Sequence, residues 1–89
     1  MPTVILAPNL RRHVDVPPTR LEAASVKEAL DRMFEAHPRL RTYVVDEQGA
    51  LRKHLMVFVD GRRVGDRDRL SDPVGEASEV HVFQALTGG

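Results

Sequence analysis

The sequence contains no cysteine. A disulfide framework and a thiolate zinc site are therefore excluded. It has no net charge: 13 basic side chains balance 13 acidic ones, and the pI is near neutral. No global basic field exists to attract nucleic acid, and no acidic block forms a solvating tail. Lysine is scarce, with only Lys27 and Lys53, so few side-chain amines are open to modification. No apolar run approaches the length of a membrane span. Met1-Pro2-Thr3-Val4 lacks the charged-then-apolar pattern of a signal peptide. These absences predict a soluble cytoplasmic protein with neither membrane nor nucleic acid as partner.

Catalytic signatures are missing as well. His13, His37, His54 and His81 have no helical metal-ligand spacing, so no metal site is predicted. No nucleophile motif surrounds any serine. There is no Walker A motif, so any ATP chemistry belongs to a partner. At 89 residues the chain is one domain. A domain of this size buries roughly 60–65% of the surface its unfolded chain exposes, enough for one thin core between two layers.

What is present reads as short strands around one helix. Thr3-Val4-Ile5-Leu6-Ala7 and His13-Val14-Asp15-Val16 are two candidate strands that read as a hairpin, the first ended by Pro8-Asn9 and the second by Pro17-Pro18. Val26, Leu30, Met33 and Phe34, with Ala29, share one helical face over about Val26 to Ala36. Ser25 and Glu28 form a capping box in which the Glu reaches back to the Ser25 N–H, and Pro38 ends the helix by His37. Tyr43-Val44-Val45 suggests a short strand, and Asp46-Glu47-Gln48-Gly49 a turn. Leu55-Met56-Val57-Phe58-Val59 is the strongest strand. Asp60-Gly61 predicts a type I′ turn into Arg62-Arg63-Val64. Gly65 to Gly75 is loop, with Leu70 and Val74 as core plugs. Glu79 to Gln84 is a clean alternating strand. The expected class is α+β: a mixed sheet of four to five strands on one main helix over residues 1–84, followed by a flexible tail over 85–89.

That tail carries the most informative feature, Gly88-Gly89. At usual glycine frequency such a pair arises by chance about once in two hundred ends, so its position directly after a strand has to supply the rest of the weight. A terminal carboxylate is ionised at neutral pH and can attack the α-phosphorus of ATP to give an acyl-adenylate. Glycines without a Cβ suit entry into a narrow channel and leave the carbonyl open to attack. Taken alone, the pair is equally well a frayed end.

Three segments together carry a family resemblance. They are Ser25-Val26-Lys27-Glu28-Ala29-Leu30, Met56-Val57-Phe58-Val59-Asp60-Gly61, and Glu79-Val80-His81-Val82-Phe83-Gln84-Ala85-Leu86-Thr87-Gly88-Gly89. In this order the chain resembles the ThiS/MoaD family of ubiquitin-like, β-grasp sulfur carriers. The resemblance implies that a ubiquitin-activating-type adenylyltransferase uses ATP to adenylate Gly89, with Gly88 beside it. A sulfur donor then makes the thiocarboxylate, and a biosynthetic enzyme takes the sulfur for cysteine, thiamine, molybdopterin or a specialised metabolite. The chain is then a co-substrate and not an enzyme, holds no permanent cofactor, and is a monomer when free. It departs from the family in placing Gln84-Ala85-Leu86-Thr87 where molybdopterin-type members carry Pro-Pro. Gly75-Glu76-Ala77-Ser78-Glu79 replaces the usual Asp-Gly-Asp-Glu turn. The long His37 to Lys53 segment and the Phe83-Gln84-Ala85-Leu86 approach look more like carriers for cysteine or specialised metabolites.

A partner surface follows from strand periodicity. If Val57, Val59, Val80 and Val82 face the helix, then Met56, Phe58, His81 and Phe83 point the other way. That face suits a protein partner unless the Arg39–Leu51 segment covers it. Leu86 and Thr87 lie at the root of the tail as further partner contacts. Two other functions use the same features: a ubiquitin-like modifier forming isopeptide bonds through Gly89, and a non-covalent β-grasp interaction module.

Overall fold

In the computed structural model, residues 1–85 are described. Five strands and three helices run in the order β1 (Thr3–Leu6), α1 (Pro8–Arg11), β2 (Thr19–Arg20), α2 (Val26–Ala36), α3 (Pro38–Val44), β3 (Leu55–Val59), β4 (Arg62–Arg63) and β5 (Glu79–Gln84). The sheet order is β2-β1-β5-β3-β4. β1 and β5 are parallel, and all other pairings are antiparallel. A parallel pair cannot be joined by a tight turn. Here β1 and β5 come from opposite ends of the described chain.

Helix α2 forms because its apolar residues recur at helical spacing. Val26, Ala29, Leu30, Met33 and Phe34 are all buried, so one stripe faces the sheet. Its first-turn N–H groups are all answered. Val26 donates to the Asp72 carbonyl at 2.9 Å, Lys27 to the Leu70 carbonyl at 2.8 Å and Glu28 to Ser25 Oγ at 3.1 Å. The reciprocal arm of the capping box differs from expectation by one residue, since Glu28 Oε1 accepts from Ala24 N–H at 3.0 Å and not from Ser25. Leu70 reaches this position with a φ of 54°, a conformation a branched residue adopts only when its surroundings hold it there. Its side chain is buried at 2% exposure, and burial offsets that local strain.

One core lies between the sheet and the helices, with Val4, Leu6, Val57, Val80 and Val82 from the strands meeting Leu30, Met33, Leu40 and Val44. The Asp60-Gly61 turn has φ values of 50° and 83°, the paired positive values of a type I′ hairpin. Asp46 closes its turn by accepting at Oδ1 from Gln48 N–H at 2.8 Å and Ala50 N–H at 3.0 Å.

Two expected strands are absent. His13 to Val16 is irregular, and the partner of β1 is the two-residue β2, which lies beyond Pro17-Pro18. Pro8 stands at the start of α1, where its missing N–H is no loss, instead of merely ending a strand. Tyr43-Val44 is helical. Leu40 and Val44 sit four residues apart on the buried side of α3, and tertiary burial outweighs the β-preference of the valines. Val45 alone makes a bridge, to Leu51.

Candidate docking face and tail root

Ladder register fixes which side chains share the outer face of the sheet. Met56 lies opposite Phe83, and Phe58 opposite His81 on one side and Arg63 on the other. Ile5 lies opposite His81 across the β1–β5 pair. Because these residues pair directly across strands, they project to the same side, away from α2. Val57, Val80 and Val82 of the same strands are wholly buried on the helix side. The Arg39–Leu51 segment does not cover the outer face. Its Leu40, Val44, Val45 and Leu51 belong to the core on the helix side.

The face is apolar at its centre and basic at one edge. Phe58 and Phe83 form a tilted pair with centroids 5.4 Å apart and an interplanar angle of 32°. The two rings and Met56 are half-buried by their neighbours, so the exposed apolar area is smaller than four fully outward side chains would give. Arg62 and Arg63 are exposed on the edge strand β4, and charge there also guards the edge against pairing with another sheet. The β3–β4 turn is pinned to β5 by Asp60, whose Oδ1 accepts from Glu79 N–H at 2.9 Å. That hydrogen bond, with lesser help from the Ser78 hydroxyl and the His81 charge, holds the Asp60 carboxyl below its ordinary value of 3.8.

The C-terminal end of β5 is held on both sides. Ala85 N–H donates to the His54 carbonyl at 2.7 Å, extending the β3–β5 ladder one residue past Gln84. On the other flank Asn9 Nδ2 donates to the Gln84 carbonyl at 2.7 Å. A shallow hollow lined by Ala7, Pro8, Asn9, Phe83 and Gln84 adjoins that contact. The structure therefore brings Met56, Phe58 and Phe83 together beside the root. Leu86, Thr87, Gly88 and Gly89 lie outside the described residues. Asn9 carried no functional signal in the sequence, where Pro8-Asn9 reads as a turn. Only the parallel β1–β5 pairing brings it to the tail root. Among the described residues no group of three or more His, Cys, Asp or Glu side chains could hold a metal ion. No described helix is long and apolar enough to cross a membrane.

A model of the ThiS family matches residues 12–89, which include α2, the whole β3–β5 ladder and the tail. The chain belongs to the ThiS family. Small archaeal modifier protein 1 of Haloferax volcanii is 32% identical over 66 residues, covering 74% of this chain and 71% of that protein. The crystal structure of that relative superposes with a TM-score of 0.82 at 25% identity, covering 99% of this chain and 98% of its own. A chain of the Amycolatopsis orientalis BexX/CysO complex shares the fold, with a TM-score of 0.82 at 24% identity and full coverage of both chains. The ThiS-family fold of this chain is thus the ubiquitin-like β-grasp: a five-stranded mixed sheet wrapped on one principal helix. Membership places the chain among small ubiquitin-like sulfur carriers and modifiers.

Proposed function

We propose that this chain carries sulfur as a thiocarboxylate on Gly89. The carboxylate oxygen attacks the α-phosphorus of ATP in a partner adenylyltransferase, forming the acyl-adenylate and releasing pyrophosphate. Sulfur at the oxidation level of sulfide then attacks the carbonyl carbon, the acyl–oxygen bond to AMP breaks, and the thiocarboxylate remains. A biosynthetic enzyme takes up the sulfur, and the carboxylate is restored when water supplies the replacement oxygen. The observation that carries the reading is family membership over 12–89, which extends through Gly88-Gly89. The fold supports it, because Met56, Phe58 and Phe83 give the adenylyltransferase a docking face at the root of the tail.

Intact mass of the protein from its native cells tests this. The expected population is heavier by one oxygen-to-sulfur exchange, mapped to the C-terminal peptide. If the chain also gives neither adenylate nor thiocarboxylate with the purified activating enzyme, ATP and a sulfur donor, the reading is wrong. A second reading, a protein modifier, is favoured by the name of the Haloferax volcanii relative. It predicts isopeptide conjugates through Gly89 on target lysines. Deleting Gly89 abolishes both covalent functions and leaves a purely non-covalent module unchanged.

A further inference from the structure

Two basic triplets stand far apart in the sequence, Arg11-Arg12-His13 and Arg52-Lys53-His54. The fold brings both to the C-terminal end of β5. The first arrives through α1. Asn9 Nδ2 donates to the Gln84 carbonyl at 2.7 Å, and Arg12 lies three residues on, still in helical backbone and so on the same side as Asn9. The second arrives just before β3, where Ala85 N–H donates to the His54 carbonyl at 2.7 Å on the opposite flank of β5. The last turn of α3 ties the two triplets together. His13 stacks on Tyr43 with ring centroids 5.2 Å apart, and Arg52 Nε donates to the Thr42 carbonyl at 2.7 Å.

Some of this charge is already engaged. Arg11 pairs with Asp15 at 2.7 Å, and Arg52 is held against α3 and shares a hollow with Asp46 and Glu47. Arg12 and Lys53 are exposed, and neither has a carboxylate within 4.0 Å among the described residues. Two uncompensated charges thus bracket the end of β5, one on each flank, in a chain whose net charge is zero. Carboxylates gather at the other end of the strand. Glu79 opens β5, Asp60 accepts from its N–H, and Glu22, Glu28 and Glu76 line one hollow with Met1 and Gly75. Arg20 and Arg62 on the edge strands offset part of that charge. Charge separated in this way orients an approaching partner without any net attraction. Nucleic acid would call for a broad basic field, which this chain lacks. We propose that Arg12 and Lys53 form a basic bracket that docks a carboxylate-bearing rim of the adenylyltransferase, continuous with the apolar face at Phe83. The identity of that partner rests on the sulfur-carrier reading; the bracket itself does not.

A hexaglutamate peptide titrated into the unmutated full-length chain at low salt, followed by amide NMR, tests the bracket with no enzyme present. Shifts are expected at Arg12, Lys53 and Ala85 and not at Asp60 or Glu79. They should vanish at about 1 M salt, where the screening length falls to about 3 Å. No shift at Arg12 and Lys53, or equal shifts along the whole chain, overturns the proposal. Tighter binding of an RNA oligomer of equal charge at the same residues overturns it too. With the adenylyltransferase and ATP, Arg12→Glu combined with Lys53→Glu should lower kcat/KM at least about fourfold at low salt, the smallest effect of reversing two exposed ion pairs. The loss should shrink at about 1 M salt. Arg12→Gln combined with Lys53→Gln should lower it at least about twofold, so the result does not hang on one variant folding. Arg32→Glu combined with Arg39→Glu makes the same change in net charge on exposed positions of the helix layer and should stay within about twofold of the unmutated chain. Equal loss in the two Glu variants, or no loss in the first, overturns the docking role. Failure of the unmutated chain to be adenylated at all counts against the sulfur-carrier reading, and the peptide titration still decides the bracket.

Discussion

Phe58→Ser tests whether the outer sheet face serves docking as well as the fold. Phe58 is half-buried on the outer side of the sheet and paired with Phe83 at 5.4 Å. Fully burying a Phe side chain is worth about 1.5–3 kcal/mol, and Phe58 keeps most of that, roughly 1–2.5 kcal/mol. The aromatic pair adds about 0.5–1.5 kcal/mol. The variant should therefore lose roughly 1.5–4 kcal/mol, against a total stability of about 4–13 kcal/mol for a chain this long. It should remain folded, with Tm lower by roughly 6–30 °C. If Phe58 anchors the adenylyltransferase, truncating a central aromatic costs at least about 2 kcal/mol of binding, or roughly 30-fold in kcat/KM. The control is Val26→Ala, which empties a site in α2 that is 0% exposed and touches no part of the outer face. Two lost methylenes and the residual cavity cost about 2–3 kcal/mol. The assay is ATP-dependent adenylate formation as a function of carrier concentration, with Tm measured on the same samples. Two variants of similar stability should differ by more than about tenfold in kcat/KM. Equal activity, or equal loss in both, would refute the reasoning.

Two further predictions concern the β3–β4 turn. The Asp60 carboxyl is held below 3.8 by hydrogen bonds made only in the folded state. Below that pH the unfolded chain binds more protons, so the contribution is present above 3.8 and is lost as pH falls through the lower folded value. Asp60→Asn keeps an acceptor for Glu79 N–H and tolerates the left-handed turn. Its urea midpoint should fall less between about pH 5 and about pH 2 than that of the unmutated chain, while identical acid slopes would exclude Asp60 as a source. Gly61 has a φ of +83°, and no atom lies within 4 Å of the place a Cβ would take, so Gly61→Ala meets strain and no clash. It should cost roughly 1–2 kcal/mol in a denaturant melt, and a neutral result would mean the turn relaxes to another type.

Strands with a regular period were legible in the sequence, and elements set by tertiary contacts were not. The alternation of Val57 and Val59 with Met56 and Phe58, and of Val80 and Val82 with His81 and Phe83, assigned both faces of the sheet before any pairing was known. The α2 stripe and its Ser25 cap were equally plain, because local chemistry dictates both. β2 escaped notice because two residues, Thr19 and Arg20, have no period. α3 escaped because Tyr43-Val44-Val45 is locally β-like, and only the burial of Leu40 and Val44 makes it helical. The aromatic part of the outer sheet face could be read from parity. The Asn9 clamp could not, since nothing near Pro8 shows that Gln84 will lie beside it.

Strand order along the chain and strand order across the sheet run against each other. β1 with β2, and β3 with β4, can each form from neighbouring segments, yet neither pair touches the other. Only β5 joins them, and it is the last described element to be synthesised. A nascent chain halted before Glu79 holds two half-sheets with no seam between them. The keystone strand is also the one that bears the tail. The outer pair of Phe58 and Phe83 straddles the β3–β5 seam and so exists only once β5 has closed the sheet; if the proposed partner reads that pair, it meets finished copies only.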